Sequence, residues 1–298
     1  MDNTNKSRGK IDMMAEPGII RLESDQPFDL YMTLSCGQAF RWEMHEGWWY
    51  GTVRDQVIRI RQEGDLVLYS WVDESSVREY FQLDTDLEEI LLSISTDPVM
   101  ERAVDNLRGL RLVKQDPWEC LLGQLCVTRN RRTGTRDRIT RIAETLGESV
   151  TMGDTSYALL PTPEMIIDKG LPALKSCNLG YVTINIFQAA ETVAGEEDWE
   201  ERIRALPYEE ARLELSQMKG VQPHLADWLL LFGFQKYEAF PVDAHIRTMF
   251  RNSYMQDYHM RGVSMSKIDQ DIRNEARRRF GKYAGYAFEY LFGIRDEI

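Results

Sequence analysis

The residues with the most obvious chemical potential lie in one stretch, Met218 to Arg251, which holds His224, Asp243 and His245. Asp243 sits in Phe240-Pro241-Val242-Asp243-Ala244-His245, a break in the chain just before a helix start. A carboxylate there can cap free N–H groups; turned toward a cleft, it can instead serve a reaction. The His224 imidazole could activate water, polarise a phosphate or simply fill space. Upstream, Gly220 supplies a tight turn, and its missing Cβ lets the backbone approach a ligand. Pro223 suits a first helical turn, where its missing N–H leaves no bond unmade. The apolar run from Leu225 to Phe234 then reads as a buried helix.

Around this segment the pattern changes once along the chain. From Ile19 to about Trp71 it is strand-like. Trp48 to Val53, Val57 to Arg61 and Leu66 to Tyr69 are short β runs, with a hairpin turn expected at Gln62-Glu63-Gly64-Asp65. After Asp73 apolar residues recur at helical intervals: Ser75 to Gln82, Asp86 to Ser95, Asp97 to Leu107, Pro117 to Cys126 and Asp137 to Leu146. Helix starts follow at Thr162-Pro163 and Leu171-Pro172, then helices over Asn185 to Val193, Tyr208 to Met218, Ser266 to Phe280 and Tyr283 to Phe292. The expected fold is α+β: an N-terminal antiparallel sheet domain with linking helices (18–110) packed on an all-helical body (111–298), preceded by a polar, disordered leader (1–17).

With 298 residues, 43% of them hydrophobic, the chain can build real cores. No run approaches the length of a membrane span. Cys36, Cys120, Cys126 and Cys177 are scattered, with neither metal-ligand spacing nor a secretory framework, and suit a reducing interior. A net charge of −12 argues by itself against nucleic acid, yet Arg129 to Arg138 and Arg273 to Lys282 are locally basic. A DNA-binding face needs local rather than global positive potential; the plainer reading is that these are solvated helix ends.

Five motifs in order then carry a resemblance. They are Cys36-Gly37-Gln38-Ala39-Phe40-Arg41-Trp42; Arg111 to Cys120; Leu179-Gly180-Tyr181; Gly220-Val221 with Ala226-Asp227 and the Pro-Val-Asp-x-His segment; and Tyr283-Ala284-Gly285-Tyr286-Ala287. Over roughly Ile19 to Phe292 the chain resembles the helix-hairpin-helix DNA glycosylases, and within them the 8-oxoguanine DNA glycosylases. The resemblance implies a base-excision enzyme acting on double-stranded DNA that carries a damaged base. It implies Asp243 as the carboxylate that stabilises positive charge on the sugar as the N-glycosidic bond breaks. No cysteine follows Cys177, so the iron–sulfur cluster of some relatives is not expected; neither a cofactor, a metal nor a membrane is expected, and the protein should be a monomer. It would sit with the nucleoid in a prokaryote's cytoplasm or in a eukaryote's nucleus.

Carried over residue by residue, the resemblance also marks departures. His224 stands where these enzymes keep the lysine whose amine attacks the sugar, and an imidazole cannot make a stable Schiff base. A monofunctional glycosylase is therefore expected; the alternatives are a bifunctional glycosylase/lyase and a non-catalytic damage-binding protein. Gly220, Val221 and Gln222 form the phosphate-holding hairpin, in which Gln222 replaces a glycine. Gly37 aligns with the glycine whose carbonyl reads the base, and Phe292 with a stacking phenylalanine. Trp228 and Phe288 replace a cysteine and a glutamine, giving a tighter, less polar base pocket that would put 8-oxoguanine specificity in question, or merely core packing. Arg129, Asn130 and Arg131 align with a segment that contacts the base left unpaired. Tyr181 matches a residue that wedges into the duplex, and His245 one near the phosphate backbone.

Overall fold

We describe a computed structural model of the chain, covering residues 16–127, 133–221, 223–258 and 262–295. The expected leader (apart from its last two residues), Arg129, Asn130, Arg131 and Gln222 fall outside the described residues.

The chain begins with strand β1 (Gly18–Arg21) and helix α1 (Leu30–Ser35), then β2 (Trp42–His45), β3 (Trp48–Val53), β4 (Gln56–Glu63) and β5 (Leu66–Ser70). The five strands make one antiparallel sheet in the order β1-β5-β4-β3-β2. The β2–β3 link is a two-residue turn, Glu46-Gly47, with both φ angles positive, as a hairpin with matching twist requires. Gly64 turns β4 into β5 at φ +61, where the sequence placed its hairpin. One face of the sheet buries Ile20, Trp42, Ile58, Ile60, Val67 and Tyr69. These pack with α1 and with α2 (Glu74–Phe81), whose Val77 and Phe81 are fully covered.

The helical body holds α3 (Leu87–Ile94), α4 (Pro98–Asn106), α5 (Pro117–Leu125) and α6 (Thr133–Leu146). A small hairpin of β6 (Ser149–Met152) and β7 (Thr155–Ala158) interrupts it. Then come α7 (Pro163–Ser176), α8 (Val182–Ala194), α9 (Trp199–Ala205), α10 (Tyr208–Gln217) and α11 (Pro223–Phe232). The last elements are α12 (Ala244–Met249), which runs into a π-helical turn at Phe250–Tyr254, α13 (Met265–Phe280) and α14 (Ala284–Gly293). Helix α7 is two helices joined at a kink, with Gly170 at φ +77 and Pro172 opening the second, as the two helix starts in the sequence implied. α3 and α4 bury Leu87, Ile90, Met100 and Ala103 in the helical core rather than under the sheet.

Two buried polar residues join the layers. The Arg111 guanidinium donates to Gln82 O (2.6 Å), Thr85 O (2.9 Å) and Pro27 O (3.1 Å). Gln38 donates from Nε2 to Thr33 O (2.8 Å) and Arg111 O (2.9 Å), while Val113 N donates to its Oε1 (2.9 Å). Because a buried polar group left unpaired costs roughly 1–3 kcal/mol, this satisfied network locks the segment after α1, including Gly37, to the body.

Candidate active site

A cleft of about 600 Å³ opens where the sheet domain meets the body. Its walls are the segment after α1, the β2–β3 tip, the end of α5, the start of α8, the first turns of α11, the loop before α12 and the end of α14. Among its lining residues are Asp243, His224, Gly37, Trp228, Phe292 and Tyr181. Residues far apart in sequence thus face one space.

Asp243 does both things its position allowed. It is the N-cap of α12, with Oδ1 accepting from Ile246 N at 2.9 Å, and it lines the cleft. The cap bond fixes the carboxylate's direction; burial of Val242 and Ile246 on either side fixes its backbone. His224 lies in the first turn of α11 and is exposed at the cleft. Lys219, just before the turn, is exposed and is not among the lining residues.

The hairpin is placed by Gly220, at φ +81. A Cβ there would lie 2.2 Å from Asn185 O, so only glycine lets the turn sit on α8. Val221 is buried, and its N–H donates to Met218 O at 3.1 Å, closing the turn. Behind α11 the Asp227 carboxylate is fully buried. It accepts from the Tyr208 hydroxyl (2.6 Å) and Arg212 Nε (3.0 Å), with Arg273 at 3.6 Å. Burial pushes its pKa up, and the two guanidiniums oppose this. The network anchors α10, α11 and α13 to one another behind the cleft.

One end of the cleft is aromatic. Trp228 (7% exposed) and Phe292 (5%) meet edge-to-face at 6.1 Å. Phe288 does not form a wall. It is 0% exposed, 5.1 Å from Trp228 and 5.8 Å from Phe240, and is absent from the lining. It lies one turn deeper on α14 than Phe292, so of the two roles the sequence allowed it takes core packing. Gly37 has φ +106 with open space where a Cβ would stand, which leaves its backbone bare at the cleft.

At the mouth, Tyr181 is 79% exposed beside the start of α8. His245 is exposed on α12 but does not line the cleft. The basic stretch Arg273 to Lys282 is engaged with carboxylates: Arg277 with Glu209, Arg278 and Arg279 with Glu275, and Lys282 with Glu89. It is a neutralised helix face rather than a free cationic surface. Cys36, Asn185, Arg136 and Arg295 also line the cleft; no motif spacing marked them as a set. Among the described residues no group of three or more His, Cys, Asp or Glu is placed to hold a metal, and no helix is long and apolar enough to cross a membrane.

Comparison with known proteins places this geometry. The family described as 8-oxoguanine DNA glycosylase, N-terminal domain, matches residues 20–121. The "Probable N-glycosylase/DNA lyase" of Methanothermobacter thermautotrophicus is 28% identical, over 89% of this chain and 92% of its own. The "N-glycosylase/DNA lyase OGG1" of Arabidopsis thaliana is 26% identical, over 88% and 76%. Among solved structures, the Clostridium acetobutylicum 8-oxoguanine glycosylase/lyase, bound to double-stranded DNA with cytosine opposite 8-oxoguanine, superposes with a TM-score of 0.84. It is 29% identical and covers 97% of this chain and 99% of that one.

Proposed function

This chain is a member of the helix-hairpin-helix 8-oxoguanine glycosylase superfamily, and from that premise we propose that it removes a damaged purine, 8-oxoguanine first among them, from double-stranded DNA by hydrolysis. The observation that carries the proposal is the convergence of Asp243, His224, Gly37, Trp228 and Phe292 on one cleft of about 600 Å³, a size that suits a base and its sugar.

A flipped purine would stack on one of the Phe292 and Trp228 rings and meet the other at its edge, with its own ring edge along the Gly37 backbone. Asp243 would then face the sugar. As the C1′–N9 bond lengthens, positive charge gathers on the ring, and a fixed carboxylate lowers the energy of that state. Water adds to C1′ on the face the base leaves; the base departs with the bonding electrons and takes up a proton. Asp243 orients the water and accepts its proton. His224, across the same cleft, is placed to hold a phosphate or the water, but not to form a lasting imine with the opened sugar. The absence of a lysine from this position supports a monofunctional enzyme. The names of the relatives, which include lyase, support the bifunctional reading, for which Lys219 would have to turn into the cleft.

Excision from a duplex containing a single 8-oxoguanine, followed by release of free base, tests the reaction. Wild type should release the base, and Asp243→Asn should slow release by about 10²-fold or more, the scale of a lost electrostatic contact in a transition state. Equal rates for the two proteins would reject this role for Asp243.

A further inference from the structure

Single exposed apolar side chains are ordinary on a protein surface; several side by side are not. Three stand together at the mouth of the cleft, on the wall that the sheet domain supplies. Met44 and Trp49 are cross-strand partners at the tip of the β2–β3 hairpin. The Tyr31 ring of α1 lies 6.1 Å from the Trp49 ring, inclined at 54° to it. All three residues line the cleft. Trp49 packs against the sheet domain's core, which makes this wall rigid. Tyr31 and Met44, 62% and 44% exposed, are buried in neither core, so burial on folding gives no account of them. Arg136 lines the same mouth: its Nη2 donates to Trp42 O at 2.8 Å, and its Nη1 makes a longer contact of 3.6 Å to Glu43.

We propose that Tyr31, Met44 and Trp49 form a stacking platform for a second base, the one that flanks the flipped nucleotide on the damaged strand. This rests on the reading of the cleft as the place where a nucleotide is flipped. An intact duplex shows a protein its phosphates, sugars and base edges; the flat apolar faces of its bases are exposed only where stacking is broken. Taking one nucleotide out of the stack bares two such faces on its own strand, one on each side of the gap. The flipped base itself goes deeper, to Trp228, Phe292 and Gly37. Tyr181, a single ring 79% exposed on the body's side of the mouth, can cover one bared face. The platform, on the sheet domain's side of the same mouth, takes the other. Aromatic rings and a thioether suit this contact, because every base has a π-face and a flexible methionine adapts to its outline. The Arg136 guanidinium stands at the same mouth for the phosphate of that nucleotide, a closer partner than Glu43 is.

The test uses duplexes whose 8-oxoguanine is built on a 2′-fluorinated sugar, which resists excision and so separates binding from turnover. One of the two flanking bases is replaced by 5-iodouracil, which on irradiation joins covalently to an aromatic ring stacked on it. From one flank the adduct should fall on Tyr31 or Trp49, and from the other on Tyr181, as peptide mass spectrometry would show. Tyr31→Ala, checked for folding by thermal melt, should bind the lesion duplex about 5–10-fold more weakly, the low end of what one stacked base contributes. It should bind the undamaged duplex, which bares no face, as tightly as wild type does. Adducts that avoid Tyr31 and Trp49 from both flanks, or a loss of affinity shared equally by the two duplexes, would overturn the assignment. Should cleavable substrates release no base while one flank still joins to the platform, the hydrolytic reading fails and the stacking platform stands.

Discussion

A fully buried acid ought to make the protein less stable as it ionises, and Glu289 allows the size of the effect to be worked out. Burial raises its pKa from the ordinary 4.5 to about 7, with the Cys36 thiol and the Arg295 charge pulling the other way without overcoming it. The folded chain therefore keeps a proton that the unfolded chain has already released between pH 4.5 and 7. Since the folded state binds more protons, stability falls as pH rises through this window and levels off above it. A shift of that size corresponds to roughly 3 kcal/mol at about 1.4 kcal/mol per pKa unit. Glu289→Gln removes the titration. The variant should match wild type near pH 5 and exceed it by up to roughly 3 kcal/mol at pH 8, or about 5 °C in Tm for a chain of this size. Thermal melts of both proteins across pH 5 to 8 measure the difference, in which the slopes of other groups cancel. Glu119, raised to about 7 by burial and by Asp116, is present in both proteins. Carboxylates held low by hydrogen bonds, such as Asp73 and Glu275, lose their contribution only at more acidic pH. A difference that does not grow with pH, or a variant less stable at pH 8, would mean that Glu289 does not hold its proton more tightly in the folded chain than in the unfolded one.

Other consequences concern single positions. Gly220→Ala sets a Cβ 2.2 Å from Asn185 O at φ +81; stability should drop by about 2 kcal/mol or more and duplex affinity should fall with it, as denaturant melts and anisotropy titrations would show. Phe288→Leu alters the core behind Trp228, costing about 1–3 kcal/mol while leaving the ranking of lesions in an excision panel unchanged, whereas Trp228→Leu should change that ranking. Tyr181→Ala should leave stability within about 0.5 kcal/mol, as expected for an exposed side chain, yet weaken binding to lesion-containing duplex several-fold in the same titrations.

How far the sequence went depended on whether a residue's role was local. Period-two runs from Trp48 to Tyr69 and the turn at Gly64 were legible because strand alternation and turn glycines are short-range signals. The two helix starts at Pro163 and Pro172 were legible for the same reason, even where a kink makes them one continuous segment. The β6–β7 hairpin, α9 and the π-helical turn after Met249 carry weaker local signals: the strands are four residues long, and a π turn has no distinctive composition. Asp243, His224 and Gly37 could be named because motif order carried them; that they share a cleft is a fact of packing. Phe288 shows the limit in the other direction. Its position in a motif allowed either a wall or the core, and only the depth of α14 decided. Glu289 lies beside it and carries no signal of its own, because an acidic residue in an apolar helix reads as a solvated side chain until its burial is known. The charge of Arg273 to Lys282 was equally ambiguous, since its carboxylate partners Glu89 and Glu209 lie nearly two hundred and nearly seventy residues upstream.

If Asp243 directs water to a sugar with no amine to capture it, borohydride trapping reads this directly. Wild-type protein incubated with an 8-oxoguanine duplex and borohydride should release the base, leave the strand intact until alkali is added, and yield no covalent protein–DNA adduct, while Asp243→Asn releases no base on the same timescale. A trapped adduct with the wild-type protein would contradict the account and return the chain to Schiff-base chemistry.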